Sequence, residues 1–147
     1  MLISNSVSRV PRNTASHVNQ RLFDTAVKNL ERAAEGGREG ITERLAELDR
    51  EWDIERLIGT AAPVILIAGL TLGLKRNRRF LAIPFAVAAA LIVHGLEGWA
   101  PPLPILRWRG FRTPEEIDEE RYALRALRGD FRRLPRRPGP LLAALRH

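Results

Sequence analysis

Two long apolar runs limit what this chain can fold into. Leu57 to Leu74 is eighteen residues without a charged side chain, and Phe80 to Leu96 is seventeen residues in which only His94 is ionisable. At a rise of about 1.5 Å per residue, each run forms a helix roughly 26 Å long, close to the ~30 Å hydrocarbon core of a bilayer. The sequence therefore predicts two membrane-spanning helices, at about 57–74 and 80–97.

A buried helical pair inside a soluble bundle is the alternative. It requires enough apolar partner surface to cover two helices that are apolar on every face, and the flanking segments are too polar to supply it. Between the runs lies KRNRR, Lys75 to Arg79, whose four positive charges cannot enter hydrocarbon. The expected fold class is an all-α membrane protein, a two-helix transmembrane hairpin with amphipathic N- and C-terminal helices.

The N-terminal part is predicted to be helical. Apolar residues at helical spacing between Ala15 and Ala33 indicate an amphipathic helix that ends at Gly36-Gly37. A second helix is expected to begin near Gly40. Because neither glycine nor proline lies between Ile41 and Ile58, it is expected to run unbroken into the first span.

The segment TPEE, Thr113 to Glu116, is the clearest local signal. Threonine can cap a helix, proline fits its first position, and Glu116 can reach back to the nitrogen of the cap. This helix is expected to run to Arg128 and to stop at Gly129. The chain then divides into an N-terminal tail at 1–39, a juxtamembrane helix and hairpin at 40–99, and an interfacial segment with the C-terminal amphipathic helix at 100–147.

Two further sets of residues are predicted, one for packing between the spans and one for the membrane interface. Gly69 and Gly73 on the first span are expected to pack against Ala82, Ala86 and Ala90 on the second, because small residues let backbones approach closely. Tryptophan and arginine favour the membrane interface and its phosphates. The predicted interfacial anchors are Trp52, Trp99, Arg107, Trp108 and Arg109.

Opposite charges line two of the predicted helices. Glu43, Glu47, Glu51 and Glu55 repeat every four residues, and Arg121, Arg125, Arg128 and Arg132 form a basic stripe on the C-terminal helix. We hypothesise that the two stripes pair, within one chain or between two. The alternative is two solvated faces, because exposed ion pairs contribute only about 0–1 kcal/mol each.

Composition excludes several functions. Cysteine is absent, which removes disulfides, thiolate nucleophiles and cysteine metal ligands. The net charge of +7 comes from 22 arginines and two lysines against 17 acidic residues. Nucleic acid is not expected as a partner because no aromatic-interleaved basic platform or finger motif is present, and attraction to anionic lipid headgroups explains the same charge. Nucleic-acid binding by residues 107–137 stays a weaker third hypothesis.

Three stretches carry a resemblance to a known family: EWDIERLI, HGLEGWAPPLPILRWRGFRT and EEIDEERYALRALRGDF. Together they resemble bacterial inner-membrane proteins with a YgaP-like transmembrane domain, over about residues 45–133. The resemblance implies a two-helix membrane hairpin that serves as an anchor or associates with itself. Relatives commonly have cysteine after the Gly-Trp pair, where this chain has Ala100, and no rhodanese domain accompanies the hairpin, so sulfur transfer by this chain alone is excluded.

His94 is the one residue of the apolar runs that could transfer a proton or bind a metal or haem. It lies three residues before Glu97, so a proton relay or a metal or haem ligand is conceivable, but one histidine is too few ligands for a closed metal site. We expect both residues at the interface, joined by a hydrogen bond, with no cofactor. No phosphate-binding loop, nucleophile elbow or carboxylate pair in a cleft is present, so an enzyme is not expected.

The expected function is that of a small non-enzymatic anchor or accessory subunit in the bacterial inner membrane. It is expected to associate with itself or with a larger membrane complex, in contact with the bilayer and its anionic headgroups. A redox or sulfur-metabolism module that binds a cofactor through His94 is the alternative. Both termini are expected in the cytoplasm, because the tails hold 20 of the 24 basic residues and the charged 56-residue N-terminal tail has no signal for export.

Overall fold

The protein is all-helical over residues 9–133, which are the residues that the computed structural model describes. Seven α-helices and no strand occur in this range. The helices are α1 Arg9–Arg12, α2 Ser16–Glu35, α3 Gly37–Leu48, α4 Ile54–Lys75, α5 Ala82–Glu97, α6 Leu103–Trp108 and α7 Pro114–Arg128. Short 3₁₀ turns cover Arg78–Leu81 and Asp130–Arg133.

The predicted unbroken helix from Gly40 into the first span is wrong. α3 ends at Leu48, and α4 begins at Ile54 after an N-cap at Asp53, whose Oδ1 accepts a hydrogen bond from the backbone N–H of Arg56 at 2.7 Å. Aspartate is a strong N-cap because its side chain satisfies an N–H that the first turn leaves unpaired. The helix is therefore interrupted by a capping side chain, without glycine or proline.

The capping box of α7 is confirmed. The backbone N–H of Thr113 donates to Glu116 Oε2 at 2.9 Å, and the Glu116 N–H donates to Thr113 Oγ1 at 3.2 Å. The helix ends at Arg128, and Gly129 follows with φ of +88°. Both ends of α7 are thus set by local chemistry that the sequence displays.

Two helical segments are long and apolar enough to cross a membrane, judged by length and composition. They are Ile54–Lys75, which is α4, and Arg78–Glu97, which joins the first 3₁₀ turn to α5. Their mean hydropathies are 2.1 and 1.9, and only 22% and 6% of their most apolar stretches are buried inside the protein. These helices therefore present most of their apolar surface outward.

The chain forms two compact units, each built from separate stretches. Within the described residues, the first unit comprises residues 9–24 and Trp52–Ile117. The second unit comprises Thr25–Glu51 and residues 118–133. The core of the first unit contains Val10, Ile54, Ile58, Ala100 and Leu103, with Leu91, Leu106 and Phe111 packed against it. The buried apolar side chains of the second unit are Ala33, Ile41, Leu45, Leu48 and Leu124.

Candidate functional site

The C-terminal end of α5 is closed by the N-terminal segment. The guanidinium of Arg9 donates to the carbonyl of Gly95, and Asn13 Nδ2 donates to the carbonyl of Glu97 at 2.7 Å. The last carbonyls of a helix lack partners within the helix, and a cation is favoured near this negative end of the dipole. Residues 9–13 therefore act as a side-chain cap for the second apolar helix.

Gly98 allows this close approach. It ends α5 in the left-handed conformation with φ of +73°, and a Cβ built on it would lie 2.5 Å from Arg9 Cβ and 2.8 Å from the Arg9 carbonyl carbon. Gly98 lies in the HGLEGW stretch, but the sequence does not indicate that residues 9 and 10 pack against it. Glycine is needed here for both its torsion and its lack of a side chain.

His94 is buried at the end of α5, with 7% of its surface exposed. Its Nε2 lies 3.3 Å from Glu55 Oε2, and its Nδ1 is buried without a hydrogen-bond partner. The expected hydrogen bond to Glu97 is wrong: the Glu97 side chain is exposed, whereas α4 brings Glu55 to the imidazole. Among the described residues no group of three or more His, Cys, Asp or Glu side chains could hold a metal ion.

Arg107 differs most from its expected role. The sequence predicts an arginine on headgroup phosphates. Its guanidinium is instead fully buried and forms a two-point ion pair with Glu116, from Nη1 to Oε2 at 2.6 Å and from Nη2 to Oε1 at 2.7 Å. Nη2 also donates to Asn19 Oδ1 at 2.7 Å, Nε to Thr14 Oγ1 at 3.2 Å and Nη1 to the carbonyl of Phe111 at 3.3 Å. The planar guanidinium offers five donors and suits a buried carboxylate, which explains why Arg107 is internal.

The other predicted anchors lie on the surface. Trp52, Trp99 and Trp108 are exposed, and so is Arg109. Trp52 stacks beneath the guanidinium of Arg56, with 4.6 Å from the guanidinium carbon to the ring centroid. Trp52 lies just before α4 and Trp99 just after α5, so these two exposed indoles lie at the ends of the helices away from the Lys75 to Arg79 loop.

The predicted packing glycines do face the second apolar helix. A Cβ on Gly69 would lie 2.8 Å from Pro84 Cδ, and one on Gly73 would lie 2.4 Å from Leu81 Cδ2. The predicted alanine partners are placed differently: Ala82 and Ala86 are exposed and Ala90 is half-buried. Leu81, Ile83 and Pro84 supply the contact instead.

An apolar groove of about 480 Å³ lies between α4 and α5. Ala61 and Ile65 contribute to it from α4, and Ala86 and Ala90 from α5. Pro102 and Leu106, at the start of α6 and within it, also line the groove, and every other lining side chain is apolar. Two of the predicted packing alanines thus line a groove, where their small side chains leave the space between the helices unfilled.

In the second unit, charges pair differently from the hypothesis. Arg44 on α3 binds the fully buried carboxylate of Glu120 on α7, from Nε to Oε1 at 2.8 Å, and it also pairs with Glu47 at 2.7 Å and Glu51 at 3.8 Å. Burial lowers the pKa of Arg44, but the hydrogen bonds to Glu120 and Glu47 outweigh this effect and raise it above its ordinary value. The hypothesis paired acids near α3 with arginines of α7. Here an arginine of α3 pairs with an acid of α7 instead.

The predicted basic stripe is held by nearby acids. Arg121 pairs with Asp118, and also with Asp49 at 3.1 Å. Arg128 donates to Asp130 at 2.6 Å and to Thr42 Oγ1 at 3.3 Å.

Glu43 is exposed, and the Glu55 carboxylate lies beside His94 in the first unit. The remaining predicted member, Arg125, is half-buried on α7.

No match to this chain is found among models of known protein families, among characterised proteins or among solved structures.

Proposed function

We propose that this chain is a non-enzymatic integral membrane protein of the bacterial inner membrane. In this proposal α4 and α5 form a transmembrane hairpin and the remaining helices form a membrane-bound anchor or accessory subunit. The observation that carries it is the outward apolar surface of the two helices, of which only 22% and 6% are buried in their most apolar stretches. A soluble protein would hide such helices in its core.

The ends of the two helices support the same proposal. Lys75, Arg76, Arg78 and Arg79 are all exposed at one end, where they mark a boundary that cannot enter hydrocarbon. Exposed tryptophans lie toward the other end, at Trp52, Trp99 and Trp108. The distance between these boundaries matches a bilayer core, because α4 has 22 residues at about 1.5 Å each.

Membrane integration is tested by fractionation of the full chain. We expect it to stay in the membrane pellet after carbonate washing at high pH and to enter solution only with detergent. A monomeric, detergent-free protein in the aqueous fraction would contradict the proposal.

A variant pair sharpens this test. Ile67→Asp places a charge in the middle of α4, where Ile67 is exposed, and Phe23→Asp places the same charge at an exposed apolar residue of α2. An aspartate at the centre of a spanning helix costs about 2.5–3.5 kcal/mol of insertion free energy. We expect Ile67→Asp to lower the membrane-integrated fraction and Phe23→Asp to leave it unchanged.

The accessory role is supported by the organisation of the polar helices. α3 and part of α7 belong to a compact unit with its own buried apolar residues and the buried Arg44 to Glu120 pair. A folded polar unit attached to a membrane anchor is suited to binding another protein or a second copy. Affinity purification in mild detergent followed by mass spectrometry should recover a constant partner or a homo-oligomer, and recovery of the monomer alone would refute this role.

A redox or sulfur-metabolism module is the second candidate. The observation that favours it is the buried Nδ1 of His94, which lacks a partner and is a potential ligand atom. In this case the purified protein should show a visible absorption band, such as a haem Soret band, that His94→Ala removes. A colourless protein with no bound metal would leave the anchor function in place and refute the module.

A further inference from the structure

The apolar groove between α4 and α5 is larger than a packing defect. Its volume of about 480 Å³ lies within the range of about 300–1,000 Å³ typical of small-molecule sites. Its wall along α4 extends from Leu57 to Ile65, roughly 12 Å at 1.5 Å per residue. The groove is thus elongated along the helix axis and suits a slender occupant.

We infer that this groove holds an acyl chain of an anionic phospholipid, with the phosphate near Arg109. The inference rests on the proposed membrane function, because the lining residues of α4 and α5 lie within the two predicted spans. It goes further by assigning a defined lipid site to one face of the helical pair.

The lining fits a hydrocarbon chain. All the side chains along the groove are aliphatic or proline, so none of them offers a hydrogen-bond donor or acceptor. A polar ligand would leave its own hydrogen bonds unmade in this groove, which is unfavourable. A hydrocarbon chain meets no such cost.

The interfacial end of the groove offers a cation. Leu106 lines the groove, and Arg109 follows it by three residues at the end of α6, so both side chains project on the same side. Arg109 is exposed and has no ion-pair partner within residues 9–133, unlike Arg107, which Glu116 neutralises. The exposed indole of Trp108 adjoins it, a side chain favoured at headgroup level.

A helix from a second copy fits less well. An α-helix with its side chains is about 10–12 Å across, so 480 Å³ holds roughly one turn of it. An extended acyl chain is narrower than a helix and follows the roughly 12 Å length of the groove.

The test uses native mass spectrometry of the full chain in detergent with equal amounts of dioleoyl phosphatidylglycerol and dioleoyl phosphatidylcholine. We expect one retained phospholipid per protomer, predominantly phosphatidylglycerol. Ala90→Phe, which fills the groove, should lose this adduct, and Ala89→Phe, on an exposed part of α5 outside the groove, should keep it. Ala86→Leu serves as a second groove-filling variant if Ala90→Phe does not fold.

The headgroup contact is tested separately. Arg109→Gln should keep the adduct but lower the preference for phosphatidylglycerol about fivefold, the effect of one basic residue at a membrane surface. Arg79→Gln, in the loop at the opposite end of the helices, should leave the preference unchanged. An equal preference in the wild type and Arg109→Gln would overturn the assigned phosphate position.

The remaining outcomes also decide the question. No retained lipid in the wild type, or equal retention in Ala89→Phe and both groove-filling variants, overturns the lipid site. A dimer that Ala90→Phe converts to a monomer without lipid loss identifies a second copy as the occupant and likewise overturns it. Carbonate fractionation of each variant separates these results from failure of the membrane proposal, because a chain can lose its lipid site and still be membrane-integrated.

Discussion

Burial separates Arg107 from Arg109, two arginines that look equivalent in the sequence. Arg107 has five protein hydrogen bonds and no exposed surface, whereas Arg109 is exposed. A buried guanidinium requires a paired carboxylate, because an unpaired charge in the interior is strongly destabilising. At the residue scale, Arg107 can be buried because Glu116 pairs with its guanidinium, whereas Arg109 remains exposed.

Glu116→Gln should therefore be strongly destabilising. Glutamine keeps the capping hydrogen bond to Thr113 but removes the charge that faces buried Arg107, a loss of about 3–5 kcal/mol in the free energy of unfolding. Glu115→Gln is the matched control, since it removes one acid from the same helical turn. Thermal unfolding of both variants in one detergent checks this, and equal midpoints for the two would contradict the importance of the buried pair.

A second residue-scale prediction concerns two glycines near the end of α5. Gly98→Ala should be destabilising by at least the ~1–2 kcal/mol cost of a left-handed alanine, because its Cβ also meets Arg9. Gly95→Ala should be stabilising by about 0.5–1 kcal/mol, since nothing lies within 4 Å of its Cβ and alanine favours a helix. Midpoints of thermal unfolding that move in opposite directions would support the close contact of residues 9 and 10 with Gly98.

At the element scale, helix ends are set by side chains as much as by glycine or proline. Asp53 begins α4 and Thr113 with Glu116 begins α7, while Gly98 and Gly129 end α5 and α7. The capping box of α7 is recognisable because threonine and glutamate occur at the required spacing. The sequence does not reveal the break before α4, because Asp53 lies within a run of charged residues that also continues a helical pattern.

The end of α7 should respond to acid. The Arg128 guanidinium donates a hydrogen bond to Asp130 and, despite partial burial, holds the pKa of that carboxyl below its usual range, with Arg125 and Arg38 adding attraction. Because the folded pKa is lower than the unfolded one, the carboxylate stabilises the fold fully above about pH 4. This contribution is lost as the pH falls through the folded pKa.

The measurement is thermal unfolding between pH 6 and pH 2.5. Asp130→Asn should lose less stability over this range than the wild type, whereas Asp24→Asn, which removes a carboxylate bonded to Gln20, should follow the wild type. If Asp130→Asn and the wild type lose equal stability, the ion pair with Arg128 does not contribute.

At the scale of the whole molecule, charge and apolar surface are segregated along the chain. Residues 1–56 sum to −1, the Lys75 to Arg79 loop to +4 and residues 97–147 to +4. Many cations outside the apolar helices are neutralised locally, as in the pairs of Arg44 with Glu120 and Arg107 with Glu116. The four cations of the loop are exposed and adjoin no acidic residue in sequence.

Topology is the prediction that belongs to this scale. If α4 and α5 span a membrane as proposed, both termini are expected in the cytoplasm and the loop around Arg78 on the opposite side, because the segments outside the hairpin carry 20 of the 24 basic residues. Reporter fusions at Arg78 and at the C-terminus should give opposite activities, with the cytoplasmic reporter active at the C-terminus. The reverse pattern would show that the positive loop, favoured in the cytoplasm by its own charge, decides the orientation.

The sequence by itself determined the helical class, the two apolar segments and the capped start of α7, because these depend on local hydropathy, spacing and hydrogen bonding over a few residues. Only the tertiary structure decided that His94 meets Glu55, that Arg107 is buried and that Ala86 and Ala90 line a groove. Each of these depends on residues far apart in the chain, and a side chain's periodicity does not state which distant group will lie against it. The two apolar helices could therefore be predicted from the sequence. The polar contacts near their ends, such as those of His94 with Glu55 and of Arg107 with Glu116, could not.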